Sequence, residues 1–219
     1  AAEAAGRVAP AEQVGGDFYQ LFELTGGRVG VMLGDVSQHG FPSALIMTLT
    51  MSAAGIYARE HDAPGRVLRD LDQALREELE TTEMFLTVFY GVIDPERGRL
   101  VYSNAGHPHA FVVHDDGGTD RLEATDPPVG FAGPDAYGER EIPWDSARDV
   151  LLLFTDGLSD TLATIARGDG ESRVLETVRH HRRSDAARIV DALFALTTDA
   201  HPPNQGDDRT ALVVSTRRR

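Results

Sequence analysis

Four aspartates in this chain each lie beside a glycine or in a glycine-marked turn, at the end of an apolar run of strand length. They are Asp17, Asp35, Asp156 and Asp207. Tight turns at strand ends can bring carboxylates from distant parts of a chain to one point, so this pattern constrains the fold strongly. Close carboxylates repel each other by about 4 kcal/mol per pair at an effective dielectric of roughly 20. We therefore expect a cation among them.

The expected cation is a hard divalent ion. The chain contains no cysteine, which leaves oxygen atoms as the candidate ligands, and carboxylate oxygens suit Mg²⁺ or Mn²⁺. The residue pattern thus indicates a metal-dependent enzyme that acts on phosphate. The lack of cysteine is also compatible with a reducing cytosol, and we expect a cytoplasmic location.

Charge and hydropathy argue against two classes of partner. The net charge of −14 argues against nucleic acid, because a phosphate backbone requires a basic face. No run of 18 apolar residues occurs in the sequence, so we expect no transmembrane helix and no membrane insertion of this domain.

The length of 219 residues fits one large domain. Residues 1–13 are interpreted as a linker or the end of an upstream helix, residues 14–216 as the domain, and residues 217–219 as a basic tail. The chain begins with alanine rather than methionine. We therefore expect a piece of a longer polypeptide, with an upstream sensor domain or a homodimer as its partner.

The order of predicted elements indicates an α+β fold. Residues 14–24 and 28–35 have the pattern of two strands joined at Gly26-Gly27, and helical spacing follows over 42–58 and 65–79. Further strands are predicted over 85–93, 100–104, 110–114, 139–143, 150–155 and 210–215, and further helices over 158–165, 171–182 and 184–197. Two antiparallel sheets with helices packed outside each would bury this many strands.

Five motifs in this order resemble those of the bacterial PPM-type serine/threonine phosphatases. The most similar branch is that of stage II sporulation protein E and the stress-response regulators of sigma factors. The resemblance covers about residues 8–216. Its motifs are Val14-Gly15-Gly16-Asp17-Phe18-Tyr19, Gly34-Asp35-Val36-Ser37-Gln38-His39-Gly40, Asn104-Ala105-Gly106-His107-Pro108, Phe154-Thr155-Asp156-Gly157-Leu158 and Asp207-Asp208-Arg209-Thr210.

The resemblance implies a fold and a ligand set. The fold is an α-β-β-α sandwich of two antiparallel sheets flanked by helices, with a centre of two Mn²⁺ or Mg²⁺ ions. Asp17 and Asp35 are implied as catalytic metal ligands, with Asp35 bridging both ions and the backbone carbonyl of Val36 as a further ligand. Asp156 and Asp207 are implied on the second side of the centre.

Several residues keep two interpretations. Asp156 is a metal ligand or the N-cap of the helix that follows, and it can be both. Asp207 and Asp208 compete for one ligand role; the family pattern favours Asp207, with Asp208 orienting it. Asp160 either joins the acidic cluster or is a first-turn helix charge.

Two histidines lie in the motifs. His39 follows Asp35 by four residues and is a candidate to protonate the leaving serine oxygen, although a loop histidine bonded to backbone is an equal alternative. For His107 we favour a structural role. The sequence also departs from the family at Gln20 and Gln38, and the position of a phosphate-binding arginine in eukaryotic relatives lies near Glu12.

These observations predict a metal-dependent protein serine/threonine phosphatase that uses metal-activated water. The branch implies a small phosphorylated regulatory protein as substrate, such as an anti-anti-sigma factor. The alternative is a pseudo-phosphatase that binds a phosphoprotein without hydrolysing it. The helices over 42–58 and 65–79 follow the Asp35 loop directly, and they form either a switch with two packings or a fixed scaffold.

Overall fold

The computed structural model of the chain describes residues 2–11, 14–38, 40–131, 133, 136–166, 168–198 and 207–216. Its strands are β1 (Glu3–Ala9), β2 (Phe18–Glu23), β3 (Val29–Val36), β4 (Leu86–Asp94), β5 (Arg99–Ala105), β6 (Ala110–Val113), β7 (Thr119–Arg121), β8 (Arg140–Pro143), β9 (Val150–Phe154) and β10 (Arg209–Ser215). Its helices are α1 (Phe41–Glu60), α2 (Pro64–Thr82), α3 (Asp156–Ala166), α4 (Gly170–His181) and α5 (Ala186–Ala195).

The chain divides into two compact units, each built on one five-stranded antiparallel sheet. The first unit comprises residues 14–108 and 123–145, with strand order β2-β3-β4-β5-β8. The second comprises residues 1–13, 109–122 and 146–219, with strand order β1-β10-β9-β6-β7. The predicted α+β class, with two antiparallel sheets flanked by helices, is confirmed.

In the first unit, α1 and α2 cover one face of the sheet. Alternate residues of β4, among them Leu86, Val88 and Tyr90, point into a core shared with the apolar face of α2. Leu68 and Leu71 of α2 are at most 1% exposed. This α2 face follows the helical spacing that the sequence predicts, and its burial stabilises the packing of the helix on the sheet.

In the second unit, α3, α4 and α5 form the core with the central strands. Strand β9 is apolar throughout and fully buried, and Leu152 and Phe154 pack with Val213 of β10 and Ile189 of α5. The polar segment that begins at Thr155, directly after β9, thus continues from a strand that is buried between its neighbours.

The interpretation of residues 1–13 as a linker or helix end is wrong for Glu3–Ala9. These residues form β1, which pairs antiparallel with β10 over its whole length, from Glu3 opposite Ser215 to Ala9 opposite Arg209. The segment is rich in alanine and glycine, which have low strand propensity, so its strand is imposed by the pairing with β10. The predicted basic tail at 217–219 lies outside the described residues.

Helix α1 meets a length and composition test for a membrane span, the one helix in the described ranges to do so. The support for a span is weak, because buried core helices pass the same test and 33% of the apolar window of α1 is buried. The absence of membrane insertion stays a prediction.

Candidate functional site

Asp17 and Asp35, here called the first acidic cluster, lie opposite each other at the end of the β2–β3 ladder. The ladder stops one residue before them, and one residue beyond them the Val36 N–H donates to the carbonyl oxygen of Gly16 at 3.4 Å. Residues in such cross-strand positions have Cβ atoms about 5 Å apart on one face of the sheet. The two carboxylates are therefore brought together by backbone pairing.

Gly16 keeps the carbonyl of Val36 open. A Cβ atom at position 16 would lie 2.7 Å from the Val36 carbonyl oxygen and 3.4 Å from Oδ1 of Asp35. Any other residue here would push against the backbone that carries two of the predicted ligands. The Gly-Asp pairing in the first motif thus has a steric reason.

The chemistry of the first cluster suits a hard cation. Like charges directly opposite each other on a sheet destabilise it, and Asp17 is only 5% exposed, which increases the cost of its charge. Two carboxylates and a carbonyl oxygen are the oxygen donors that Mg²⁺ and Mn²⁺ take. The residues present at this cluster therefore fit the expected ion.

The second acidic cluster comprises Asp156, Asp160, Asp207 and Asp208, where β9 passes into α3 beside the start of β10. Thr155 connects the two segments. Its N–H donates to the carbonyl oxygen of Thr210 at 3.1 Å, and its hydroxyl donates to the Asp208 carbonyl oxygen at 3.3 Å.

Gly157 allows an even closer approach of these two segments. A Cβ atom at this position would lie 2.1 Å from the carbonyl oxygen of Asp208. The Gly157 N–H also donates to Oδ1 of Asp156 at 2.9 Å. Asp156 is thus exposed at the first helical position of α3, one residue after the N-cap position, where its charge suits the helix N-terminus; its ligand role stays a prediction.

Asp207 carries the electrostatic signature of this cluster. Partial desolvation raises the pKa of its carboxyl above the usual range, and the hydrogen bond from the Asp208 N–H, at 2.8 Å, opposes that rise. The charges of Asp156, Asp208 and Asp160 raise the pKa further. The carboxylates of this cluster are therefore close enough to repel one another, and a bound cation would reduce that repulsion.

Asp208 has a different role from Asp207. Its side chain is buried, at 7% exposed, and its Oδ1 accepts a hydrogen bond from the N–H of Ala11 at 2.8 Å. It therefore fastens the segment after β1 to the start of β10, while its own N–H holds Asp207. No sequence pattern marked Ala11 as the partner.

The distances between side chains do not by themselves identify a metal site among the predicted ligands. In the part of the chain that the structure describes, no three histidine, cysteine, aspartate or glutamate side chains meet the criteria for a metal site. The ligand roles of Asp17, Asp35, Val36, Asp156 and Asp207 thus stay predictions.

The two motif histidines differ. His39 lies outside the described residues, as does Glu12. His107 is 2% exposed; its N–H donates to Oδ1 of Asn104 at 2.8 Å, and Nδ2 of Asn104 donates back to its carbonyl oxygen at 2.9 Å. This closed turn is a structural use of the Asn104-Ala105-Gly106-His107 motif.

The sequence did not predict the group of side chains, around His109, that contacts the backbone of Asp156 through Ser159. The ring of His109 stacks on Phe154 at 4.4 Å, and its Nδ1 lies 2.8 Å from Oε2 of Glu171. Its Nε2 is 3.4 Å from the hydroxyl of Ser159, which donates to the Asp156 carbonyl oxygen at 2.9 Å. Burial lowers the pKa of His109, against the opposing effect of Glu171.

Comparison with known proteins places the chain in a family. The family model described as stage II sporulation protein E (SpoIIE) matches residues 25–217. The chain belongs to the SpoIIE family. This confirms the branch of PPM-type, or PP2C-type, serine/threonine phosphatases that the five motifs indicate.

Individual relatives agree with the SpoIIE assignment. Phosphoserine phosphatase RsbP of Bacillus subtilis is 33% identical over 209 residues, which are 92% of this chain and 49% of that protein. The structure of the SiaA-PP2C domain of Pseudomonas aeruginosa has a TM-score of 0.82 at 24% identity and covers 97% of this chain and 85% of that one. The catalytic domain of the phosphatase PstP, solved in complex with 2 manganese ions, has a TM-score of 0.71 at 16% identity, covering 98% and 97%.

The two structural likenesses show the fold. The chain spans 31%, 49% and 60% of the lengths of three curated relatives that it matches. It therefore corresponds to part of each of them.

Proposed function

We propose that this chain is a metal-dependent protein serine/threonine phosphatase domain. The observation that carries the proposal is the first acidic cluster, where Asp17 and Asp35 face each other beside the Val36 carbonyl that Gly16 keeps open. Membership of the SpoIIE family supports a phosphatase. A relative that is named a phosphoserine phosphatase supports phosphoserine as the substrate group.

The proposed metal ligands are those of the sequence analysis. Asp17, Asp35 and the Val36 carbonyl would hold divalent metal, and Asp156 and Asp207 would supply further ligands for a total of two ions, Mn²⁺ or Mg²⁺. The manganese-bound PstP structure of the same fold supports this choice. Bound ions of this kind lower the pKa of a coordinated water and so supply hydroxide near neutral pH.

The contribution of the chain itself is to hold charges in place. The β2–β3 ladder ends one residue before Asp17 and Asp35 and holds the backbones that carry both carboxylates. The Asp208 N–H positions the Asp207 carboxylate, and the Thr155 hydroxyl ties the backbone beside Asp156 to the Asp208 carbonyl. Backbone anchoring of this kind reduces the rearrangement that metal binding requires, which favours electrostatic stabilisation of the transition state.

The proposed substrate is a small phosphorylated regulatory protein, such as an anti-anti-sigma factor in a cytoplasmic signalling pathway. The sigma-factor regulator branch supports this proposal. An upstream sensor domain or a second copy of the chain is the proposed regulatory partner, since the chain matches only part of its curated relatives.

The test is hydrolysis of p-nitrophenyl phosphate with Mn²⁺. We expect activity that EDTA abolishes and that Asp35→Asn lowers at least about 100-fold, because loss of a metal-supporting group alone typically costs 10–100-fold. Asp62→Asn is the matched control. Its carboxylate is highly exposed and binds Arg28, and this change should leave activity within about twofold.

Activity that persists in chelator-stripped protein would contradict the metal mechanism. If the wild-type chain binds Mn²⁺ and a phosphoprotein but hydrolyses neither that phosphoprotein nor p-nitrophenyl phosphate, the pseudo-phosphatase alternative is correct.

A further inference from the structure

An aromatic pair, Phe85 and Phe131, lies beside the first acidic cluster. The ring centroids are 4.8 Å apart at an interplanar angle of 36°. Phe131 remains 66% exposed although its ring contacts Phe85. An exposed aromatic ring next to a candidate catalytic loop calls for an explanation, because phenylalanine gains most from burial.

The exposed ring is held by an anchored turn. The Phe131 N–H donates to the carbonyl oxygen of Pro128 at 3.1 Å, and Val129 exchanges two hydrogen bonds with Leu86, at 2.9 and 3.1 Å. Gly130, at φ 99°, donates its N–H to Oδ1 of the buried Asp72 at 3.0 Å. The backbone that carries the ring is therefore held in place, which lowers the entropy cost of binding.

The pair is tied to the Asp35 loop by two hydrogen bonds. The Ser37 N–H donates to the carbonyl oxygen of Phe85 at 2.9 Å, and the Phe85 N–H donates to the Ser37 hydroxyl at 3.0 Å. Thr87, two residues along β4, pairs with Asp35. Phe85 therefore lies about 7 Å along the strand from the level of Asp35 and on the same face.

We infer that Phe131 is a specificity-determining residue that binds an apolar side chain of the substrate protein close to the phosphorylated serine or threonine. Phe85, on which the Phe131 ring packs, is offset from the level of Asp35 by about 7 Å, the distance that an extended substrate segment advances over two residues, so the side chains two residues from the phosphorylated residue are the ones to test. The net charge of −14 also disfavours charge-driven docking of a phosphoprotein. This inference rests on the proposed function and deepens it.

The test compares a small substrate with two peptides. The probes are p-nitrophenyl phosphate, a short phosphoserine peptide with leucine two residues before and two residues after the phosphoserine, and the same peptide with alanine at both positions. We expect the wild-type chain to prefer the leucine peptide by about tenfold in kcat/KM. Phe131→Ala should remove this preference, as truncation of one central aromatic contact does, and leave p-nitrophenyl phosphate within about twofold.

Two further variants control for folding and for loss of apolar surface. Phe131→Leu keeps an apolar side chain and should retain part of the preference. Leu21→Ala removes a side chain of β2 that is 42% exposed and should retain all of it. Thermal melts should show all three variants folded.

Equal rates of the wild-type chain on the two peptides would overturn the inference while leaving the proposed function intact. Two other results would also overturn the inference. In one, the wild-type chain hydrolyses p-nitrophenyl phosphate but neither peptide. In the other, Phe131→Ala loses activity on all three substrates and changes its oligomeric state. No hydrolysis of any substrate with Mn²⁺ would overturn the proposed function itself.

Discussion

The two acidic clusters place their carboxylates by different means. In the first, Asp17 and Asp35 lie one residue beyond the last pair of the β2–β3 ladder, and a single backbone hydrogen bond between Val36 and Gly16 follows them, which together fix their spacing. In the second, Asp156 opens a helix and Asp207 precedes a strand, and both side chains are exposed. The β9–β10 ladder ends at Phe154, two residues before Asp156, and beyond it the backbones are held together by a threonine hydroxyl and a close glycine contact.

This difference shows which cluster depends more on a cation. Backbone pairing limits how far the two backbones of the first cluster can separate, and a bound ion would relieve the repulsion between their carboxylates. The exposed carboxylates of the second can rotate toward water, and solvent screens their repulsion. We therefore expect the first cluster to control activity and the second to tune metal affinity.

The largest effect on stability should come from the glycines that set each cluster. Gly157→Ala places a Cβ atom 2.1 Å from a backbone oxygen, and Gly16→Ala places one 2.7 Å from another. Overpacking of this kind costs about 1–3 kcal/mol of unfolding free energy, and we expect Gly157→Ala to cost more than Gly16→Ala. Urea denaturation measures both values.

Gly55→Ala is the matched control for these two variants. Gly55 lies within α1, and nothing comes within 4 Å of a Cβ atom there. Alanine should therefore raise the unfolding free energy by about 0.5–1 kcal/mol. If all three alanines behave alike, the close approaches do not define the clusters.

A smaller effect concerns Asp207 in metal-free protein. Its carboxyl has a raised pKa in the folded chain, so its contribution to stability is present below the unfolded pKa, near about 4, and is lost as pH rises through the folded value. Asp207→Asn should remove this pH-dependent decrease in stability. At neutral pH the variant should be more stable by at most about 0.5 kcal/mol, because the group is well exposed and screened.

Thermal melts of wild type and Asp207→Asn across this pH range, with EDTA present, measure the effect. Asp156→Asn should also stay folded without metal. Outright unfolding of either variant would mean that the carboxylate is a cap or turn anchor, and its ligand role would be wrong.

Much of the fold could be predicted from periodicity and turn residues. The Gly26-Gly27 hairpin, the helices after the Asp35 loop and the buried strand β9 all follow from local patterns. β1 could not be predicted, because its strand form depends on pairing with β10 some 200 residues away in the sequence and not on its own composition. Polar β7 was missed for a similar reason: its three residues carry no apolar alternation.

The site was predictable in its residue types but not in its supports. Glycine next to aspartate marked both clusters, and the structure gives the steric reason at Gly16 and Gly157. The bond from Ala11 to Asp208 and the His109–Glu171 pair join residues far apart in sequence. No local pattern encodes such contacts.

The switch hypothesis for α1 and α2 stays a prediction. Both helices form, with Met47 and Met51 of α1 partly buried against the same core as Leu71 of α2. Side chains of this adaptable type can repack, and a fixed scaffold explains the same contacts. Metal-dependence curves of Met47→Leu and Leu71→Met would separate the two.

Calorimetric titration of the metal-free chain with Mn²⁺ tests the central claim, that both clusters bind divalent metal, most directly. Wild type should bind Mn²⁺ saturably. Asp35→Asn should lose most of that binding, and Asp207→Asn should bind more weakly, while Asp62→Asn should titrate as wild type. Unchanged Mn²⁺ binding in Asp35→Asn and Asp207→Asn, or no binding by the wild-type chain, would contradict the account.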